Sequence, residues 1–365
     1  MAIITDLPKI VAGLPSDKRQ RVERIFRIDV TQSQSHVPDT MRPWVEQQFG
    51  QLEAVEHQHL VRVTNTVTWD GALFNPVRAR RPMIHDQVHA NPNRSPSSSV
   101  SHASELTDHF ADPLHMTTED PFGRVRGKHC VIAANVARWD TWSAVLIFDE
   151  VDPFRFDREQ MRDYIATSWT WARQAHAFDP TARYFVWGWN GSLRAGASQP
   201  HAHAQMALGQ GLHYARVEGL RRAALDYRAR TCTNYFDDLQ ASHDCLGLGI
   251  TTSTLRGFVY LAPMCWKETW LIGQRFDNDL ADALHDVLRA LIDRTGTASF
   301  NVFATLPPVE ATQTQAEDWS GFPLIVRIGD RGPTTMISSD FGWIDLFAHR
   351  VIPTDPFVVK AQLGL

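Results

Sequence analysis

Hydrophobic and polar positions fall into short alternating blocks and longer helical ones, and the order of blocks occurs twice. Val61–Trp69 alternates with β-branched residues, as a half-buried strand does. Cys130–Asn135 and Ala144–Phe148 read as strands on either side of the turn Arg138-Trp-Asp-Thr-Trp142. Asp157–His176 carries Met161, Ile165, Trp169 and Ala172 at helical spacing, which predicts an amphipathic helix whose aromatics are core. Tyr184–Trp189 and His201–Leu208 read as strands. In the second half, Gly257–Ala262 and Thr269–Gln274 flank a similar turn, Cys265-Trp-Lys-Glu-Thr-Trp270. Asp279–Arg294 places Leu280, Ala283, Leu284, Val287, Leu288 and Leu291 on one helical face. Ser299–Thr305 and, after a polar loop at Glu310–Asp318, Phe322–Arg327 read as strands. The pattern predicts an α+β chain of two tandem modules, each an antiparallel sheet with a helix packed on it.

The boundaries follow. Residues 1–54 hold two helix candidates, around Asp17–Phe26 and Met41–Leu52, read as accessory. A first module spans 55–215 and a second 216–365. The linker His213–Gly249 reads as a basic helix (Arg216–Arg230) and a polar loop with Asp237, Asp238, His243 and Asp244, solvated rather than metal-binding. The tail Phe347–Leu365 ends in a short helix.

The 365 residues carry a formal charge of −5, with no basic footprint for nucleic acid. Cys130, Cys232, Cys245 and Cys265 stand far apart without a Cys-x-x-Cys pair, as expected of reduced thiols in a cytoplasmic protein. The N-terminus lacks an apolar signal core, and no apolar run is long enough to span a membrane.

One stretch resists a packing explanation: Asn190-Gly-Ser-Leu-Arg-Ala-Gly-Ala-Ser-Gln-Pro-His-Ala-His-Ala-Gln-Met206. A Gly-punctuated loop leads into an alternating segment, so His201, His203 and Gln205 line one strand face and Ala202 and Ala204 the other. A neutral imidazole is a competent nucleophile. The backbone N–H groups of a Gly-rich turn and a Ser hydroxyl can hold phosphate oxygens beside it. The row suits histidine attack on phosphorus. Gln205 can donate to phosphate oxygens but cannot hand a proton to a leaving group, which favours transfer between phosphorylated partners over release of an amine. A His-x-His pair alone is also read as a metal pair or as polar residues on an exposed strand.

Asn190-x5-Gly196-x-Ser198-x-Pro200-His201-x-His203-x-Gln205 resembles the active-site signature of the histidine triad superfamily. It is most similar to the branch of galactose-1-phosphate uridylyltransferases and diadenosine tetraphosphate phosphorylases, because the hydrolase branch ends its triad in a third His. The resemblance implies that His203 becomes nucleotidylated and that His201 supports it. It makes Gln205 and Ser198 phosphate ligands, with Asn190 and Gly196 in the same loop. Arg78-Ala-Arg80-Arg81-Pro82 resembles the branch's His-Arg-Ala-Lys-Arg-Pro segment, which implies phosphate contact by Arg78 and Arg81; a solvated surface turn is the competing reading. The zinc pair of the uridylyltransferases has no counterpart here. His85, His89, His102 and His109 lie in a polar segment rich in Asn, Pro and Ser (Asn91–Ser99 at its centre), read as a loop over or beside the site with solvated histidines, a metal shared among them being the competing reading. A structural zinc site is therefore not expected, and no cofactor is required, although Mg²⁺ can accompany the nucleotide. The second module has no histidine where Phe322–Arg327 would repeat the signature, which leaves the sugar open. The resemblance also allows a homodimer.

The reading is a nucleotidyltransferase that moves an NMP group from a nucleotide-sugar-like donor to a phosphorylated acceptor such as a sugar 1-phosphate, through a nucleotidyl-histidine. The alternatives are a phosphorylase of dinucleoside polyphosphates or nucleotide sugars, and a nucleotide-binding protein without turnover.

Overall fold

The repeated blocks assemble into one sheet. The computed structural model describes residues 1–79, 108–310, 317–336, 344 and 348–365. Its first module contributes β4 (Cys130–Ala134), β5 (Trp142–Phe148), β6 (Tyr184–Asn190) and β7 (His203–Gly209). The second contributes β9 (Arg256–Val259), β10 (Trp266–Gly273), β11 (Phe300–Thr305) and β12 (Leu324–Asp330), with β8 (Gly249–Thr251) at the edge. The nine strands run in the order β4-β5-β7-β6-β11-β12-β10-β9-β8, with antiparallel pairing throughout. Each half reads outward from the middle in the same sequence of equivalents. The two modules thus share a single sheet, joined where β6 pairs with β11 (Asn190↔Asn301 through Val186↔Thr305).

Both long helices lie on one face of this sheet. Arg158–Phe178 starts at a reciprocal cap: Asp157 accepts from the Gln160 N–H, and Gln160 accepts from the Asp157 N–H, each at 2.8 Å. Such a cap contributes about 1 kcal/mol. Asn278–Thr295 is capped by Asp277 and stopped by Gly296 at φ +68°. Met161, Ile165 and Ala172 pack with Leu284, Val287 and Leu288 onto Ala204, Met206, Val326 and Ile328. Arg162 grips Asp282 through two bonds of 2.8 and 2.6 Å, which ties the helices across the seam. Among the described residues, no helix is long and apolar enough to cross a membrane.

The opposite face is treated unequally. Over the second module lies a four-stranded sheet in the order β1-β2-β3-β13 (Phe26–Gln34, His57–Asn65, Gly71–Phe74 and Arg350–Ile352). Its Val61, Val63 and Phe74 share a core with Phe258, Trp270 and Ile325. Residues 1–54, expected to be helical, therefore also supply a strand, β1, paired along its length with β2. The expected polar loop in the linker is instead the helix Tyr235–Cys245. The helix is capped by Asn234; its His243 is buried in the core, Asp238 accepts from the Tyr227 and Thr233 hydroxyls, and Asp244 pairs with Arg256.

Candidate active site

The site stands at the start of β7, on the face that the helices leave open. β6 ends at Asn190 and the loop departs at Gly191, where a Cβ would meet the Phe300 ring at 2.4 Å. Ser192 Oγ then accepts from the Ala195 N–H at 3.3 Å, closing a single helical turn. Gly196 follows at φ +95°, a conformation that suits only glycine well. Asn190 ties the loop shut. Its Nδ2 donates to the Gly196 carbonyl at 3.1 Å, while its Oδ1 accepts from Asn301 Nδ2 at 2.6 Å. Asn301 also donates to the Ala195 carbonyl at 2.8 Å. Both ends of the Asn190 amide are thus engaged in holding the loop's shape, with β11 of the second module as its anchor.

Downstream, Ala202, Ala204, Met206 and Leu208 point into the helix-side core, which turns His203 and Gln205 to the other face. β7 begins at His203, two residues later than the expected strand. His201 lies on the approach, where the Ala202 N–H donates to the Val151 carbonyl and the Phe148 N–H to the Ala202 carbonyl.

His203 is 3% exposed. Its Nδ1 lies 2.8 Å from the carbonyl oxygen of His201. A carbonyl can only accept, so the ring proton sits on Nδ1 and the Nε2 lone pair is bare. Burial holds the ring below the ordinary histidine pKa, outweighing the raising effect of that hydrogen bond. The result is a neutral imidazole at pH 7 whose lone-pair nitrogen is specified.

The His201 ring is clamped at both nitrogens. Nε2 donates to the Phe148 carbonyl at 2.8 Å, and Nδ1 meets the Asp108 carboxylate at 2.9 Å. Burial pushes the Asp108 carboxyl up, but hydrogen bonds from His201 and from the N–H groups of Phe110 and Ala111 bring it below the ordinary value. The clamp fixes the peptide whose carbonyl orients His203. Phe110 sets its ring edge-on to His201 and His203, at 5.9 and 5.2 Å between centroids. With Val131, Ala133, Val145 and Ile147 it forms a small apolar wall on the site face. Asp108 and Phe110 were not singled out in the sequence; only the expectation that the segment ending at His109 lies beside the site pointed there, and its last residues do so.

Gln205 is half-buried and Ser198 exposed. Among the described residues, neither side chain has a hydrogen-bond partner, so both can serve an incoming group. Arg78 is exposed in the short helix Pro76–Ala79 after β3, and no hydrogen bond joins it to the loop or to His203. Arg80, Arg81 and Pro82, the histidines His85, His89 and His102, the Asn91–Ser99 run and most of the Glu310–Asp318 loop lie outside the described residues. Among the described residues, no group of three or more His, Cys, Asp or Glu is placed to hold a metal.

The fold has solved counterparts. An ADP-glucose phosphorylase from Arabidopsis thaliana, with bound ADP-glucose, superposes at a TM-score of 0.62 with 15% identity, covering 83% of this chain and 98% of that one. A GalT-like protein from Arabidopsis thaliana follows at 0.54 and 16%, covering 68% and 91%. A uridylyltransferase follows at 0.53 and 16%, covering 68% and 87%. No family model and no curated sequence matches the chain. The chain thus has the fold of the branch its signature resembles, an α+β pair of tandem histidine-triad-like modules.

Proposed function

We propose that this protein is a nucleotidyltransferase working through a covalent nucleotidyl-histidine at Nε2 of His203. The observation that carries the reading is the His203 Nδ1–H···O=C bond to His201, which leaves Nε2 unprotonated inside a buried, neutral ring. Nε2 attacks the α-phosphorus of a pyrophosphate-bearing donor, a nucleotide sugar. The P–N bond forms as the bond from phosphorus to the bridging oxygen breaks, and a sugar 1-phosphate leaves. The leaving phosphate needs no proton at neutral pH, consistent with Gln205 standing where an acid would otherwise be wanted.

The adduct ring is cationic, and the His201 carbonyl on Nδ1 stabilises that charge. Gln205 and the loop donors around Ser198 would hold the non-bridging oxygens. The apolar wall of Phe110, Val131 and Val145 offers a dry surface for the nucleoside. A phosphate oxygen of the acceptor then attacks the same phosphorus, the P–N bond breaks, and neutral His203 is restored.

Two acceptors fit this second half: a sugar 1-phosphate, giving a uridylyltransferase-like exchange, or inorganic phosphate, giving a phosphorylase. The likeness to an ADP-glucose phosphorylase supports keeping the second. The test is intact-protein mass spectrometry after brief mixing with UDP-, GDP-, ADP- and dTDP-sugars, ATP and diadenosine tetraphosphate, without acceptor. The expected result is a gain of one nucleotidyl group that is absent from His203→Ala. An unmodified mass with every donor sinks the covalent route. Adding phosphate or sugar 1-phosphate to the adduct then distinguishes the acceptors.

A further inference from the structure

Register places the two modules in residue-by-residue correspondence. In the first, β7 pairs His203 with Ile147 and Gln205 with Val145 and Gly188. In the second, β12 pairs Ile325 with Ile272 and Arg327 with Trp270 and Phe303. Arg327 therefore occupies the position of Gln205, on the same face of the same sheet. It does not point into solid core. A cavity of about 700 Å³ opens in front of it, between the second module, β3 and the helix Ala215–Thr231. That volume is in the range of small-molecule sites.

The lining has three parts. Arg216, Arg327 and Arg350 bring guanidinium groups, Asp70 a carboxylate, and Trp69 and Trp270 flat rings. Arg327 is held rigid: it donates to Glu268 at 2.7 Å, reaches Asp70 at 3.9 Å, and lies 4.7 Å over the Trp270 ring. Arg216 is exposed on the opposite wall, and its hydrogen bond goes to the thioether of Met264 at 3.2 Å, a weak acceptor for so strong a donor. Trp69 is 76% exposed and sits at φ +63°, where a bulky residue is strained. A large apolar ring kept in water in a costly conformation at a cavity mouth calls for a ligand to stack on it.

We propose that this cavity is a second ligand site, distinct from the His203 site, that takes a nucleoside diphosphate. The arginines hold the phosphates, as planar forked donors do. Asp70 accepts from a ribose hydroxyl, and Trp69 stacks on the base. Ile325 stands where the nucleophile would be, so this site binds without forming an adduct.

The experiment is isothermal titration calorimetry of the full chain with ADP, UDP and inorganic phosphate, on wild type, Arg216→Glu and Trp69→Gly. Glycine relieves the backbone at residue 69, and residue 216 is on the surface, so both variants keep the fold. The expected result is two nucleotides per chain in wild type and one in Arg216→Glu, with the nucleotidyl adduct on His203 forming at the wild-type rate. Trp69→Gly should weaken the second site by about tenfold for ADP and UDP, the loss of roughly one stacking contact, while leaving phosphate unaffected. A single saturable site in wild type overturns the proposal. So does a second site whose affinity is the same in both variants. Failure of the His203 adduct with the second site intact would overturn only the covalent mechanism.

Discussion

His203 and His243 are both buried histidines, one in each half of the molecule, and they differ in a single nitrogen. His243 stacks on Phe258 at 4.0 Å between centroids and uses its whole ring: Nδ1 donates to the Leu239 carbonyl, and Nε2 accepts from the Leu261 N–H. His203 uses only Nδ1. The same contrast runs through the modules that hold them. Strand order and register correspond, yet Ile325 fills the place of His203, Phe303 that of Gly188, and Trp270 that of Val145. The second module's face is buried under a small sheet, while the first keeps its face open beside Phe110. The sheet is a frame, and chemistry depends on which atoms are left without partners on it.

The largest effect should come from removing the spare nitrogen. His203→Ala is expected to lower single-turnover adduct formation by about 10⁴-fold or more, the scale of losing a nucleophile. Nucleotide affinity by calorimetry should stay close to wild type; parallel collapse of affinity would mean the ring binds rather than reacts.

The converse change tests whether the frame alone suffices. Ile325→His puts an imidazole at the matching position without the His201 carbonyl or the loop. Mass spectrometry should still find one adduct per chain, and chemical denaturation should show a loss of about 2 kcal/mol for the unpaired buried ring. Two adducts would refute the importance given to the loop.

Asp108→Asn removes one charge-assisted bond from His201. Adduct formation should fall by about tenfold, in line with about 1.5 kcal/mol for such a bond. An unchanged rate would make the clamp irrelevant to His203.

The smallest effects are in pH. Because burial depresses His203, adduct formation should stay level from pH 8 to below the ordinary histidine value and fall only in more acidic buffer; a midpoint at or above 6.5 contradicts the burial argument. His243 is pushed down to about 3 and His213 to about 4, each by burial. The unfolded chain takes up these protons near pH 6.5, and the folded one does not until far lower. Their contribution to stability is therefore fully present above that value and is lost as pH falls toward 4 and then 3. The melting temperature should decline across that interval, and His243→Phe should flatten the decline.

Most of this architecture is legible in the sequence because its period is strong. Leu280, Leu284, Val287 and Leu291 leave no doubt of a helix, and His201 to Gln205 alternate against alanine. β1 is missed because Arg27, Gln32 and Ser33 lie in a strand that is mostly exposed, with no buried alternation to read. Asp108 is missed for another reason: its partner His201 is 93 residues away, and no local pattern announces such a pairing. Asn190 was visible as a motif residue, but its work in closing the loop depends on Asn301, which only the β6–β11 seam brings alongside.

That seam has a consequence for cutting the protein. β6 gives one side to β7 and the other to β11, so it lies in the interior of the sheet. A fragment ending at residue 215 would turn it into an edge, with a row of bare N–H and C=O groups on a hydrophobic strand, Tyr-Phe-Val-Trp-Gly-Trp. Such edges recruit other chains. The half that carries His203 thus needs the other half to cover its edge, which gives a module without the His-x-His-x-Gln row a reason to persist.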